Sequence, residues 1–353
     1  IKFSDTLQTS VRFQLNHTND NITNADDANN RDVQVRHAHL NYQHDNTKLK
    51  MGLVPVQESY NDVLYSKDWG YNPFGIEGFQ NFKSSQVHYF FVNLNEGDEK
   101  QVKDDFTHYH VDYSYLYNAK TTLTFSVSHM NVLALGEHQN IALKIETPLA
   151  HNIKFNSFIM TSKSDRAILG TQEDAKGVAF LAEFQKHYRG VDTSLLITHA
   201  SGKEDGSGFL VPLAFMQTNS YWGYTGILTV MPQTDTGFSS DSLNISNNGH
   251  GLNAIQAKSE LFLTPKLKVQ LSTGWFGATQ TVNRSKDIGI DLLALGSYEI
   301  ERNFTLDLGI DHAVISDSLS GYSGGILRGN NFNQAQSTSR KKTAFFGRLQ
   351  IQF

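Results

Sequence analysis

The alternation of apolar and polar residues in segments about ten residues long constrains this chain more than any other feature. In Thr343–Phe353 (TAFFGRLQIQF), Phe345, Gly347, Leu349, Ile351 and Phe353 share one face of a period-2 strand. Ala344, Phe346, Arg348, Gln350 and Gln352 share the other. The same pattern recurs along most of the sequence, and roughly ten residues is what a tilted strand needs to cross a bilayer. A soluble β-sandwich or propeller is the competing reading, but no blade-like repeat of about forty residues is visible.

Composition fits the spanning reading. Only 39% of residues are hydrophobic and the mean hydropathy is −0.39, yet aromatics reach 11%, with 14 Tyr and 23 Phe. No run approaches the roughly 18 apolar residues of a spanning helix. A barrel reconciles these numbers, because half of each strand meets lipid while the other half and the loops meet water. Cysteine is absent and the formal charge is −5. Those two facts exclude disulfide scaffolds, thiolate metal sites and the basic footprint of a nucleic-acid binder. The opening Ile1-Lys2-Phe3 lies close to a strand without a leader, so the sequence reads as a processed form.

Hairpins follow from paired alternating runs. Thr121–Met130 places Leu123, Phe125 and Val127 opposite Thr122, Thr124, Ser126 and Ser128, and follows Phe106–Tyr117 across the turn Asn118-Ala119-Lys120. Strands are predicted near 4–16, 32–43, 48–58, 74–83, 86–96, 105–117, 121–132, 139–149, 152–162, 177–188, 191–202, 252–264, 267–278, 287–300, 304–316 and 343–353. Short turns alternate with long polar loops, and every short turn falls on one side. The whole chain, 1–353, thus reads as a single all-β domain, an antiparallel transmembrane barrel of 16 strands. Residues 203–251 form a long loop with two apolar stretches, Phe209–Phe215 and Tyr221–Met231. They either add a hairpin, giving 18 strands, or fold into the lumen.

A terminal alternating strand ending in Phe353, after many such hairpins, resembles the last strand of the Gram-negative outer-membrane β-barrel porins. In that family the terminal aromatic is implied to be read by the assembly machinery. The resemblance covers the whole chain and implies short periplasmic turns, long extracellular loops, a location in the cell outer membrane, and contact with its lipid and lipopolysaccharide. Many members are homotrimers and others are monomers, so the resemblance leaves both open. The stretch Val33–Gly52 (VQVRHAHLNYQHDNTKLKMG), followed by an aromatic loop, is similar to the early hairpin of substrate-selective porins, which implies oligosaccharide or organic-acid substrates without assigning residues.

In so wide a barrel the interior is expected to be a channel. With the apolar set outward, the lumen receives Arg12, His37, His39, Lys50, His108, His110, Asp112, Lys144, Glu146, Lys258, Glu260, Asp291, Asp307, Asp311 and Arg348. Cations from the first three strands and the last then oppose acids from the fourteenth and fifteenth, a transverse field that would filter ions. The plainer reading is that these groups wet the wall and pair across strands, as Asp307 or Asp311 with Arg348. Tyr109, Tyr113, Tyr117, Trp275 and Tyr298 face outward as interfacial girdle residues. Tyr60, Trp69, Tyr71 and Trp222 sit in the aromatic loops, where they either stack on a solute or pin the loops to the wall.

No catalytic constellation emerges. His110-x-Asp112 shares a strand face, but nothing supplies a nucleophile turn. The pairs His37/His39 and His108/His110 each offer half a metal site, with no third ligand to assign. The sequence therefore reads as a porin passing small hydrophilic solutes by diffusion, without cofactor, metal, nucleic acid or enzymatic turnover. A plugless siderophore-type receptor and, further off, a rim hydrolase are the alternatives.

Overall fold

The computed structural model describes residues 3–16, 32–64, 73–95, 106–132, 135–169, 173–212, 222–229, 231, 242–281, 285–316 and 341–351. Sixteen strands form one antiparallel sheet: β1 (Leu7–Asn16), β2 (Asp32–His44), β3 (Thr47–Leu53), β4 (Phe74–Asn81), β5 (Ser85–Asn95), β6 (Phe106–Asn118), β7 (Thr121–Val132), β8 (Gly136–Pro148), β9 (Ile153–Ser164), β10 (Ala175–Tyr188), β11 (Val191–Ala200), β12 (Leu252–Thr264), β13 (Leu267–Ala278), β14 (Asp287–Glu301), β15 (Phe304–Ile315) and β16 (Lys341–Ile351). Each strand pairs with its neighbours in sequence, from β1 through to β16. Residues 203–251 contribute no strand to this sheet among the described residues.

Turn chemistry sets the hairpin register. Asp45 (φ 46°), and Arg189 with Gly190 (φ 46° and 80°), supply the left-handed residues that two-residue hairpin turns need. The Asn118 side-chain oxygen accepts from the backbone amides of Lys120 and Thr121, both at 2.9 Å. These turns, with those at 82–84, 149–152, 265–266 and 302–303, all gather at one rim. The opposite strand ends, including those on either side of the three-residue 133–135 connection, lie at the other.

The largest boundary difference from expectation is in the third strand, while the first begins at Leu7 and the eighth at Gly136, each three residues from the expected start. The third strand ends at Leu53 and does not continue to residue 58. Gly52 takes φ +126°, where an added Cβ would lie 2.3 Å from the Ala38 carbonyl oxygen, and Pro55 has no amide to donate to a ladder. The chain therefore leaves the wall after Leu53 and turns inward.

Register sorts the two faces. One inward tier runs Lys50, Glu77, Phe90, His110, Ser128, Asn140, Ser162 and Gly177 across eight adjacent strands. Outward lie Val111, Phe125, Ile141, Leu143, Ile159, Leu271 and Leu292, each about half exposed. Such a continuous apolar band is stable against lipid and would aggregate in water. Tyr109, Tyr113, Tyr117, Trp275 and Tyr298 belong to this outward face, between 42% and 67% exposed, and the Trp275 indole donates to Asp287 at 3.3 Å.

The interior differs from a uniform channel. Toward the long-loop rim, inward Phe90, Val92, Phe158, Met160, Leu181 and Phe276 bury against Val54, Val56, Tyr60, Val63 and Leu64, and against Phe209, Val211, Trp222, Ile227, Leu228, Leu243 and Ile245. Toward the short-turn rim the inward positions carry Lys48, Lys154, Lys258, Glu260, Lys268, Asp307 and Arg348. Half of the interior is thus a packed apolar core and half a charged, wetter wall.

Candidate lumen site

Two segments fold inward and meet. Residues 54–64 lie along the wall from β4 to β10. The Gln57 amide donates to Glu77 Oε1 at 3.1 Å, and Ser59 Oγ donates to Asp112 Oδ2 at 3.0 Å. The Tyr60 hydroxyl bonds Ser126 Oγ, which in turn donates to Asp112 Oδ1. Lys144 Nζ donates to the Ser59 carbonyl at 2.5 Å, and Asn156 donates to Asn61 at 2.9 Å. The Tyr60 ring packs edge-on against Phe158, centroids 5.3 Å apart at 89°. Burial holds the Tyr60 hydroxyl above the ordinary phenol range.

The second segment comes from residues 207–212, 222–229 and 242–251. Leu210 donates its amide to Ser162 Oγ at 2.9 Å and accepts from Asn140 at 3.2 Å. Trp222 Nε1 donates to the Leu243 carbonyl at 2.8 Å. The Ile227 and Leu228 amides both donate to Asp291 Oδ2, at 3.1 and 2.7 Å. Gly177 leaves room for this segment, since a Cβ there would lie 2.3 Å from the Phe209 nitrogen. The two segments join at Glu183, whose Oε1 accepts the Tyr224 hydroxyl and whose Oε2 accepts from Asn61 at 3.2 Å. Burial, and next the Glu183 carboxylate, push the Tyr224 hydroxyl up.

All fifteen predicted lumen residues occupy inward register positions, but they divide by accessibility. Arg12 is exposed and His37 half-buried, while His39, at 7% exposure, places Nδ1 3.2 Å from the Leu53 carbonyl. Lys50 keeps its head partly open while its Nζ bonds Glu77 Oε2 at 2.6 Å, and Arg348 does the same over Asp307 at 2.8 Å. Lys258 and Lys268 flank Glu260 at 3.4 and 2.8 Å. Lys144 is buried beside the more open Glu146, 3.2 Å away. By contrast His108, His110, Asp112, Asp291, Asp307 and Asp311 are at most 2% exposed. They face inward but lie beneath the infolded segments or their own partners, so they do not line open water.

This corrects the picture of opposed basic and acidic walls. The acids predicted to form the acidic wall, Asp291, Asp307 and Asp311, are buried: loop amides cover Asp291, and Arg348 covers Asp307. Charge left accessible on the wall is mainly cationic. The interior-as-channel expectation is corrected too, because the long-loop half is filled by apolar packing.

Tyr60 and Trp222 act here as anchors, 0% and 2% exposed. Trp69 and Tyr71 lie outside the described residues. Glu77, His88 and Glu183, which carry much of the interior polar network, were not singled out from sequence. Glu77 and His88 do fall on the same period-2 face as Lys50 and Asp112, so the signal was available. Between the first segment and β6–β8 opens a cavity of about 410 Å³, lined by Glu58, Asp62, Ser114, Thr124, Lys144 and Glu146 among others.

In sequence the chain stands apart: no protein-family model matches it, and no curated protein matches it. Structure gives the likeness. Pseudomonas aeruginosa OccK5 (OpdH) superposes with a TM-score of 0.56 at 11% identity, over 92% of this chain and 83% of that one. Acinetobacter baumannii OccAB1 follows at 0.54 and 11%, over 89% and 76%. P. aeruginosa OpdK, solved with vanillate, gives 0.54 and 9%, over 89% and 78%. The chain has the fold of these outer-membrane barrels. At such identities the likeness establishes architecture, and residue roles must come from this chain's own geometry.

Proposed function

We propose that this protein is an outer-membrane porin through which small hydrophilic solutes diffuse passively, with organic anions preferred. One observation carries the anion preference: in two ion pairs of the wall the acid is buried while its cationic partner stays open. Glu77 and Asp307 are 0% and 2% exposed, whereas the Lys50 and Arg348 side chains are 30% and 31% exposed. A solute on the short-turn side of the constriction meets cationic heads in a narrow, low-dielectric passage, which concentrates anions. The vanillate held by OpdK, a structural neighbour, is a carboxylate and supports the same reading.

In this reading the long-loop rim is extracellular, the short-turn rim periplasmic, and the outward apolar band touches lipid, with lipopolysaccharide beside the long-loop rim. The channel carries out no turnover. A homotrimer, which would cover part of the outward band, is tested by native mass measurement in detergent. The functional test is planar-bilayer conductance with reversal potentials in a salt gradient. Anion-selective current, blocked by aromatic or aliphatic carboxylates more than by neutral oligosaccharides, supports the proposal. Cation selectivity, or block by sugars alone, overturns the anion preference, and absence of current overturns the channel.

A further inference from the structure

His88, His110 and Asp112 stand together on adjacent strands β5 and β6, fully inside the barrel. One ligand atom from each can be chosen so that all lie within 4.8 Å of one another. His88 Nδ1 is 3.0 Å from Asp112 Oδ2, and His110 Nε2 is 2.9 Å from Asp112 Oδ1. We propose that these three side chains form a binding site for a first-row transition-metal cation of the Zn²⁺ type, seated under the 54–64 segment.

The donor set decides the class of metal. Two imidazole nitrogens and one carboxylate suit Zn²⁺, Co²⁺ or Ni²⁺, whereas Ca²⁺ and Mg²⁺ favour all-oxygen shells. A tetrahedral shell with bonds of about 2.1 Å places its donors about 3.4 Å apart, so the three atoms, now within 4.8 Å of one another, draw closer when an ion binds. Three protein ligands leave a fourth position for water or for the Ser59 hydroxyl, itself 3.0 Å from Asp112 Oδ2.

The surroundings are built as metal sites are built. The other ring nitrogen of His88 faces Glu77 Oε1 at 3.2 Å, the carboxylate-to-histidine support that fixes which nitrogen binds. Lys50 holds Glu77 from behind at 2.6 Å. Phe79 stacks on the His88 ring at 4.3 Å and 11°, and Phe90 stacks on His110 at 4.9 Å and 11°. Both imidazole planes are therefore set before any ion arrives. Entry is available from the cavity that Ser59, Ser114 and Thr124 border, one inward position below Asp112 and Ser126. Because Asp112 also holds Ser59 and, through Ser126, Tyr60, an ion at this point braces the infolded segment against the wall.

The competing account is a purely hydrogen-bonded network at the same distances. Titration calorimetry of the full, tag-free chain in detergent, stripped with chelator and then given Zn²⁺, separates the two. The metal site requires one Zn²⁺ per chain. His88→Gln and His110→Asn must each weaken binding by more than about 100-fold, and Glu77→Gln, acting through His88, by about 10- to 100-fold. His187→Asn, an exposed histidine on the short-turn rim, must leave binding unchanged. Should the variants fail to fold, Co²⁺ added to the wild-type chain gives the answer directly. An intense low-coordinate d–d spectrum at one equivalent supports the site. The pale spectrum of the hydrated ion, or Zn²⁺ binding that survives His88→Gln, overturns it.

Discussion

Asn61 and Tyr224, which lie on different infolded segments, donate to the two oxygens of one buried carboxylate, Glu183. The two infolded segments of this barrel are thus tied together through β10, in addition to the apolar cluster that they share.

Removing the tie should loosen both segments. In Glu183→Ala the Tyr224 hydroxyl and the Asn61 amide lose a charged acceptor inside the barrel, at roughly 1.5–3 kcal/mol for each bond. The expected result is a lower thermal midpoint and a larger, noisier single-channel conductance. A quiet channel of unaltered size would mean that apolar packing alone holds the constriction.

Space at Gly177 is a second control. Gly177→Val puts a side chain where the Phe209 backbone sits, so residues 207–212 must move away from the wall. We expect faster proteolysis within that segment and a wider conductance, with the barrel's resistance to heat in gel mobility kept. Equal protease protection in the variant and the wild type would refute the packing role assigned here.

Ion selectivity should turn on Arg348 and Asp307. Asp307→Asn leaves the guanidinium uncompensated and should shift reversal potentials toward anions, whereas Arg348→Gln should shift them toward cations. Lack of movement in both variants would return these residues to wall wetting.

The first segment should respond to pH through Glu58. Burial, with Asp62 adding repulsion, holds the Glu58 carboxyl well above the usual carboxylate range. A raised folded-state value stabilises docking below the unfolded value and withdraws that support as pH rises through the folded one. Docking of residues 54–64, followed by limited proteolysis, should therefore weaken on the alkaline side. Glu58→Gln should flatten the profile, and a wild-type profile already flat would remove Glu58 from the account.

The faces of the wall were legible because period-2 alternation is a local property. Every predicted lumen residue from Arg12 to Arg348 sits inward, and every short turn named from the sequence lies at one rim, although the three-residue connection at 133–135 lies at the other. Two departures from alternation also carried meaning. In β5, Tyr89 and Phe91 face out while Phe90 and Val92 face in. In β14, Ile290 and Leu292 face out while Leu293 and Leu295 face in. Apolar residues on both faces signal burial on both faces, and hence something packed inside the barrel. Gly52 and Pro55 likewise marked the early end of β3.

By itself, then, the sequence determined the kind of sheet: strand type, which side chains meet lipid, and a strand number of 16 or 18, between which the structure chose 16. Each of these depends on neighbours one to four residues apart or on a count along the chain. What fills the lumen was decided only by tertiary structure. The partners there are separated by tens of residues, as Ser59 with Asp112, Asn61 with Glu183, and Leu228 with Asp291. Alternation fixes the direction of a side chain but is silent on its height along the axis and on what crosses the lumen to meet it. For that reason the acids of β14 and β15 could be placed on the inner face from sequence, while their burial, and the cationic surface this leaves open, could not.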